Sequence, residues 1–157
     1  MNTIWKERAL EEMEYFLHTL SFVPADKLTW SPTPTAKSAL QIAVHVAAYS
    51  GRFASIIAAG KFPVKTGAEF RAEVEEAMQG ITSVEQAEAM LRQGIADTCA
   101  ALDNVKPEQI DSMIDSPQGQ TPFLFFMKVP AMHLEMHAGQ IDYLQTCWGD
   151  QEVHFKP

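Results

Sequence analysis

Two cysteines, Cys99 and Cys147, are all that the chain carries, and neither belongs to a CxxC pair. That scarcity excludes a disulfide-stapled scaffold and a cysteine-ligated zinc ribbon, and it fits a reducing compartment, the cytoplasm. Long apolar runs are missing too. No window reaches about 18 uninterrupted apolar residues, so no membrane-spanning helix is expected. Lys6, Glu7 and Arg8 stand where a signal peptide would need its apolar core, so no secretory leader is expected. Positive charge is in short supply: 12 Lys and Arg against 20 Asp and Glu leave a net charge of −8. Without a basic, aromatic-interleaved stripe there is no electrostatic footprint for phosphates, and nucleic-acid binding is not expected. No stretch alternates apolar and polar residues between hairpin turns, so strands are not expected either.

What is present is helical periodicity. A length of 157 residues with 46% hydrophobic and 20% charged residues predicts one globular domain spanning 1–157. The first helix is expected from about Thr3 to Phe22, with Trp5, Ala9, Met13, Phe16, Leu17 and Leu20 on one face. Glu7, Glu11, Glu14 and His18 share the other face, so His18 is expected in solvent rather than in a site. The run Ser31-Pro32-Thr33-Pro34-Thr35 cannot continue a helix. A second helix is expected from an N-cap at Ser38 to Ala59, stopped by Gly60. Between residues 61 and 81 a short helix near Ala68–Met78 decorates a long crossover, as parallel neighbours require. Overlapping capping boxes, Thr82 with Glu85 and Ser83 with Gln86, open a third long helix that ends before Pro107. Its small residues, Gly94, Ala96, Ala100 and Ala101, permit close packing. Thr121-Pro122 reads as an N-cap with proline at the first helical position, opening a fourth helix that runs to Trp148. The expected fold is all-α: a four-helix bundle with a short extra helix in the connection between helices 2 and 3.

The fourth helix carries His133 and His137 one turn apart, with Gln140 three residues on. At about 100° per residue these three fall in the stripe of Phe126, Val129, Pro130, Ile141, Leu144 and Trp148, while Lys128, Glu135 and Asp142 lie opposite. Buried imidazoles need partners, because an unsatisfied polar group costs about 1–3 kcal/mol. Two readings stand: core histidines bonded to carbonyls or to each other, or metal ligands. His45, at the flank of the second helix's apolar stripe beside Tyr49, offers a third imidazole, and three neutral imidazoles suit a divalent transition metal with positions left open. An HExxH protease is excluded. The acid between the histidines, Glu135, lies about 160° from His133 around the helix.

Other residues have simpler readings. Cys147 is expected as a small buried hydrophobe, and His154 is expected to do nothing catalytic. Gly139 reads as a close-packing position and Pro130 as a kink. Gln140 is expected to orient a histidine, touch substrate or bond within the core. Phe125 and Met127 exceed what one helix face buries and suggest a helix-on-helix dimer.

Three segments in order, Leu28-Thr29-Trp30-Ser31-Pro32, Ser38-Ala39-Leu40-Gln41-Ile42-Ala43-Val44-His45 and His133-x-x-x-His137-Ala138-Gly139-Gln140, together resemble the DinB-like (YfiT-type) family over nearly the whole chain. The resemblance implies a four-helix bundle, a homodimer, and a divalent metal, zinc or nickel, held by His45, His133 and His137. Ala138 departs from it, since many relatives carry Arg there, so partner details tied to that arginine do not carry over. Relatives of this fold include thiol-dependent S-transferases and a maleylpyruvate isomerase. The implied function is a metal-dependent enzyme of the thiol S-transferase or hydrolase type, acting with a low-molecular-weight thiol on a small electrophile. The alternative is a non-catalytic metal-binding or stress-response protein whose metal is structural or sensory, although three ligands suit an open site better than a closed one. No general base stands out.

Overall fold

The computed structural model describes residues 2–154; Met1 and residues 155–157, the ends of the expected 1–157 domain, lie outside them. Its elements are α1 (Asn2–Ser21), α2 (Ala39–Ala59), α3 (Gly67–Met78), α4 (Val84–Asp103), α5 (Pro107–Ile110), a hairpin of β1 (Met113–Ser116) and β2 (Gly119–Pro122), and α6 (Phe123–Cys147). Three of the helices, α2, α3 and α4, begin where side chains satisfy their first N–H groups. Ser38 and Gln41 form a reciprocal capping box at α2, Thr66 and Glu69 at α3, and Ser83 and Gln86 at α4. Thr82 does not pair with Glu85; its N–H donates to Gln86 Oε1 at 2.8 Å, which already serves Ser83. Gly60 ends α2 in the left-handed conformation, φ 61°, with its N–H on the carbonyls of Ile56 and Ile57.

The four long helices form an all-α bundle in which α1 and α2 each pack against both α4 and α6. Ion pairs fix the directions. Lys6 meets Asp103 and Glu14 meets Arg92, so α1 and α4 run antiparallel. Gln145 donates to the Thr19 carbonyl at 3.3 Å and Tyr15 to Asp142 at 3.5 Å, so α1 and α6 run parallel. Successive segments of α2 and α4 share the same two apolar clusters in the same order, Ile42–Ala47 with Ala87–Ile95, then Ile56–Ile57 with Ala101–Leu102. That parallel pair explains the long crossover carrying α3. Their contact is close because Gly94 lies against Ser50 and Gly51; a Cβ at Gly94 would stand 2.8 Å from Ser50 Cβ and 2.9 Å from the Gly51 nitrogen.

Among the described helices, α2 is long and apolar enough to cross a membrane, with mean hydropathy 1.4 over its best window. Yet 61% of that window is buried among the other helices, the position of a core helix.

Several expectations fail locally. A hairpin is present where no strand was expected: Met113 pairs with Pro122 and Ser116 with Gly119. Four-residue strands with one buried side chain, Ile114, are too short to show an alternating pattern. The hairpin also claims Thr121 and Pro122, so Pro122 rather than Thr121 occupies the cap position of α6, without a side-chain cap bond. Met127 is buried in the core, 1% exposed, leaving Phe125 as the exposed one of that pair. Cys147 is exposed and Cys99 is the buried thiol; both are free. Gly139 faces outward with nothing near its missing Cβ, so close packing does not account for it.

Candidate metal centre

α2 and α6 meet at the histidines. His45 lies two turns into α2, and His133 and His137 lie on the α6 face turned toward it. The Nε2 atoms of His133 and His137 are 3.1 Å apart, and those of His133 and His45 are 3.3 Å apart. One ligand nitrogen from each of the three lies within 4.8 Å of the others. Ligands about 2.0–2.1 Å from a tetrahedral zinc stand roughly 3.3 Å from one another, and the two short spacings to His133 match that value.

The hydrogen-bonding chemistry points the same way. Gln140 Oε1 lies 2.7 Å from His137 Nδ1, and a carbonyl oxygen can only accept, so the Nδ1 proton is donated and the Nε2 lone pair turns to the cluster. One N–H on His133 cannot point along both of its short contacts. A cation at the centre would turn all three lone pairs into ligands. Burial and the neighbouring His137 and Lys37 hold the His45 pKa down at about 4. Burial, His137 and His45 lower His133 to about 3. His137 is also lowered, chiefly by burial, with the Gln140 bond opposing. All three rings are therefore neutral at pH 7, the state that binds metal.

Around the cluster, Tyr49 and Phe53 pack on the His133 ring at centroid distances of 5.2 and 5.3 Å. A cavity of about 470 Å³ opens beside His137, bounded by Lys37, Ile42, Gln140 and Tyr143. Lys37 carries no motif. Only the turn that caps α2 brings its charge near the imidazoles. Glu135 is exposed, as its helical phase requires. His18 and His154 stay outside the cluster: His18 is half-buried edge-on to Phe22, rather than in open solvent, and His154 stacks on Phe22 and meets Asp150 at 2.8 Å.

Fold and cluster together define a helical bundle with three imidazoles converging between two of its helices. The DinB superfamily model matches residues 7–141, and the chain belongs to that superfamily. A crystal structure of a DinB-like protein, YjoA from Bacillus subtilis, shares the fold with TM-score 0.68 at 18% identity, covering 96% of this chain and 96% of that one. The mycothiol-dependent maleylpyruvate isomerase is similar with TM-score 0.66 at 13% identity, over 90% of this chain and 60% of that one. No curated protein matches.

Proposed function

We propose that the chain is a divalent-metal-dependent enzyme of the thiol S-transferase or hydrolase type, with zinc or nickel held by His45, His133 and His137. The convergence of three neutral Nε2 atoms carries this reading. When bound, such an ion acts as a Lewis acid and lowers the pKa of a thiol or water that reaches its free positions. The protein's own groups do the rest. Gln140 holds His137 in its ligating tautomer, and Tyr49 and Phe53 keep water from the His133 ring. Lys37, at the cavity beside His137, suits an acidic group on an incoming thiol. The mycothiol-dependent neighbour supports a thiol partner. Exposed Phe125, Met132, Met136 and Tyr143 along α6 support a homodimer, and the two free thiols support a cytoplasmic setting.

A structural or sensory metal is the second reading, favoured by the way His45 on α2 and the α6 pair would staple two helices. Chelation separates the two. For the enzyme, adding chelator to metal-loaded protein abolishes turnover of low-molecular-weight thiols with an electrophile such as monobromobimane, while the circular-dichroism spectrum stays helical. For the staple, there is no turnover and the melting temperature collapses.

Gln140→Leu is expected to weaken metal binding by roughly 10–100-fold, the usual effect of losing a group that orients a ligand histidine. Glu135→Gln is expected to leave it unchanged. Competition titration against a chromophoric chelator reads both, and a large loss in Glu135→Gln would overturn the helical phase.

A further inference from the structure

Tyr49 and Phe53 also line a second and larger cavity of about 620 Å³, between α2, α3, the hairpin and the first turns of α6. Its size falls in the range that holds small organic ligands. Its walls are aromatic to an unusual degree: Tyr49, Phe53, Phe62, Phe70, Phe125 and Phe126 all line it. Phe62 meets Phe70 at 4.9 Å and Phe126 at 5.9 Å between centroids, both rings inclined to it. Tilted rings around an open space present faces and edges suited to another flat ring.

The lining holds a single charged residue, Arg71. Among the described residues no carboxylate lies within 4.0 Å of its guanidinium, although ion pairs occupy Arg8, Arg52 and Arg92. Arg71 folds back over the first turn of α3 toward the hairpin: a Cβ on Gly67 would stand 3.5 Å from Arg71 Nη1 and 3.7 Å from Pro117 Cβ. No acidic residue lines the cavity.

We propose that this cavity binds a flat aromatic molecule bearing one anionic group, the ring against Phe62 and Phe70 and the anion on Arg71. Tyr49 and Phe53 join this wall to the His133 ring, so a bound aromatic would lie one layer of side chains from the histidines. The binding does not depend on the metal-enzyme reading.

The test is calorimetric titration of the full chain with 2-naphthoate, its neutral counterpart 2-naphthalenemethanol, and decanoate. One naphthoate per chain is expected, bound at least about tenfold more tightly than the alcohol, as a charge-assisted bond implies, and more tightly than decanoate. Arg71→Gln, an exposed change that leaves the core alone, is expected to erase the preference for naphthoate over the alcohol. Val129→Phe, which fills the cavity, is expected to weaken both ligands at least about tenfold with the fold intact by circular dichroism. Absence of saturable naphthoate binding, a preference that survives Arg71→Gln, or decanoate binding as tightly would each overturn the proposal. The titration is run on chelator-treated and metal-loaded protein with metal content measured in parallel. A protein that takes up no metal yet binds naphthoate overturns the metal reading and leaves this site standing. A metal-loaded protein that ignores naphthoate does the reverse.

Discussion

Protein purified without a polyhistidine tag is expected to hold about one divalent metal ion per chain, and His133→Ala and His137→Ala are each expected to hold almost none. Removing a group that merely orients a ligand costs roughly 10–100-fold in affinity, and removing a ligand itself costs more. The tag must be absent because nickel from an affinity column would fill the site. His45→Ala is the informative companion, since His45 comes from α2 and the other two from α6. Its loss of metal would show that the site spans two helices rather than resting on an HxxxH pair. Elemental analysis of the three variants beside wild type reads this, with circular dichroism to establish that each remains helical. Stoichiometric metal in any variant would remove that histidine from the ligand set. No uptake by wild type when zinc or nickel is added would make all three core residues, and the enzyme reading would fall with them.

The second large effect concerns Gly94. Alanine is normally the better helix former by about 1 kcal/mol, so an exposed helical glycine gains from the change. At Gly94 the new methyl would meet Ser50 Cβ at 2.8 Å and backbone of α2 at 2.9 and 3.1 Å, and backbone cannot rotate away. Gly94→Ala is therefore expected to destabilise by about 2 kcal/mol, lowering the melting temperature by about 4–8 °C, and Gly94→Val by more. Gly139 provides the control. It lies inside α6 with nothing within 4 Å of its missing Cβ, so Gly139→Ala is expected to stabilise the chain by about 0.5–1 kcal/mol. Thermal melts of the two alanine variants should move in opposite directions. A stable Gly94→Ala would mean that α2 and α4 can separate at little cost.

Much of the fold was legible because its signals are local. Ser38 and Gly60 each mark an end of α2 through groups within a turn of that end, and Ser83 with Gln86 does the same for the start of α4. The helical phase alone put Glu135 outside and His137 inside. The hairpin escaped because Met113–Ser116 and Gly119–Pro122 owe their conformation to each other and to packing of Ile114, not to any pattern within either strand. Thr121 and Pro122 went to that hairpin for the same reason: strand pairing outcompeted a local capping preference. Gly94 and Gly139 illustrate the limit from the other side. In sequence both are helical glycines; only the neighbouring helix makes one a contact and leaves the other bare.

By itself, then, the sequence determined the four long helices and α3, their apolar faces, and the fact that His133 and His137 share one of those faces, because helical periodicity is a property of residues three and four apart. It nominated His45 without bringing it into contact. Tertiary structure decided the rest. The close contact of α2 with α4 at Gly94, the approach of α2 to α6 that sets one ligand nitrogen from each histidine within 4.8 Å of the others, and the aromatic cavity with its lone Arg71 all join residues far apart in the chain. Such contacts come from side chains interlocking across helices, and no stretch of sequence holds both halves of the lock.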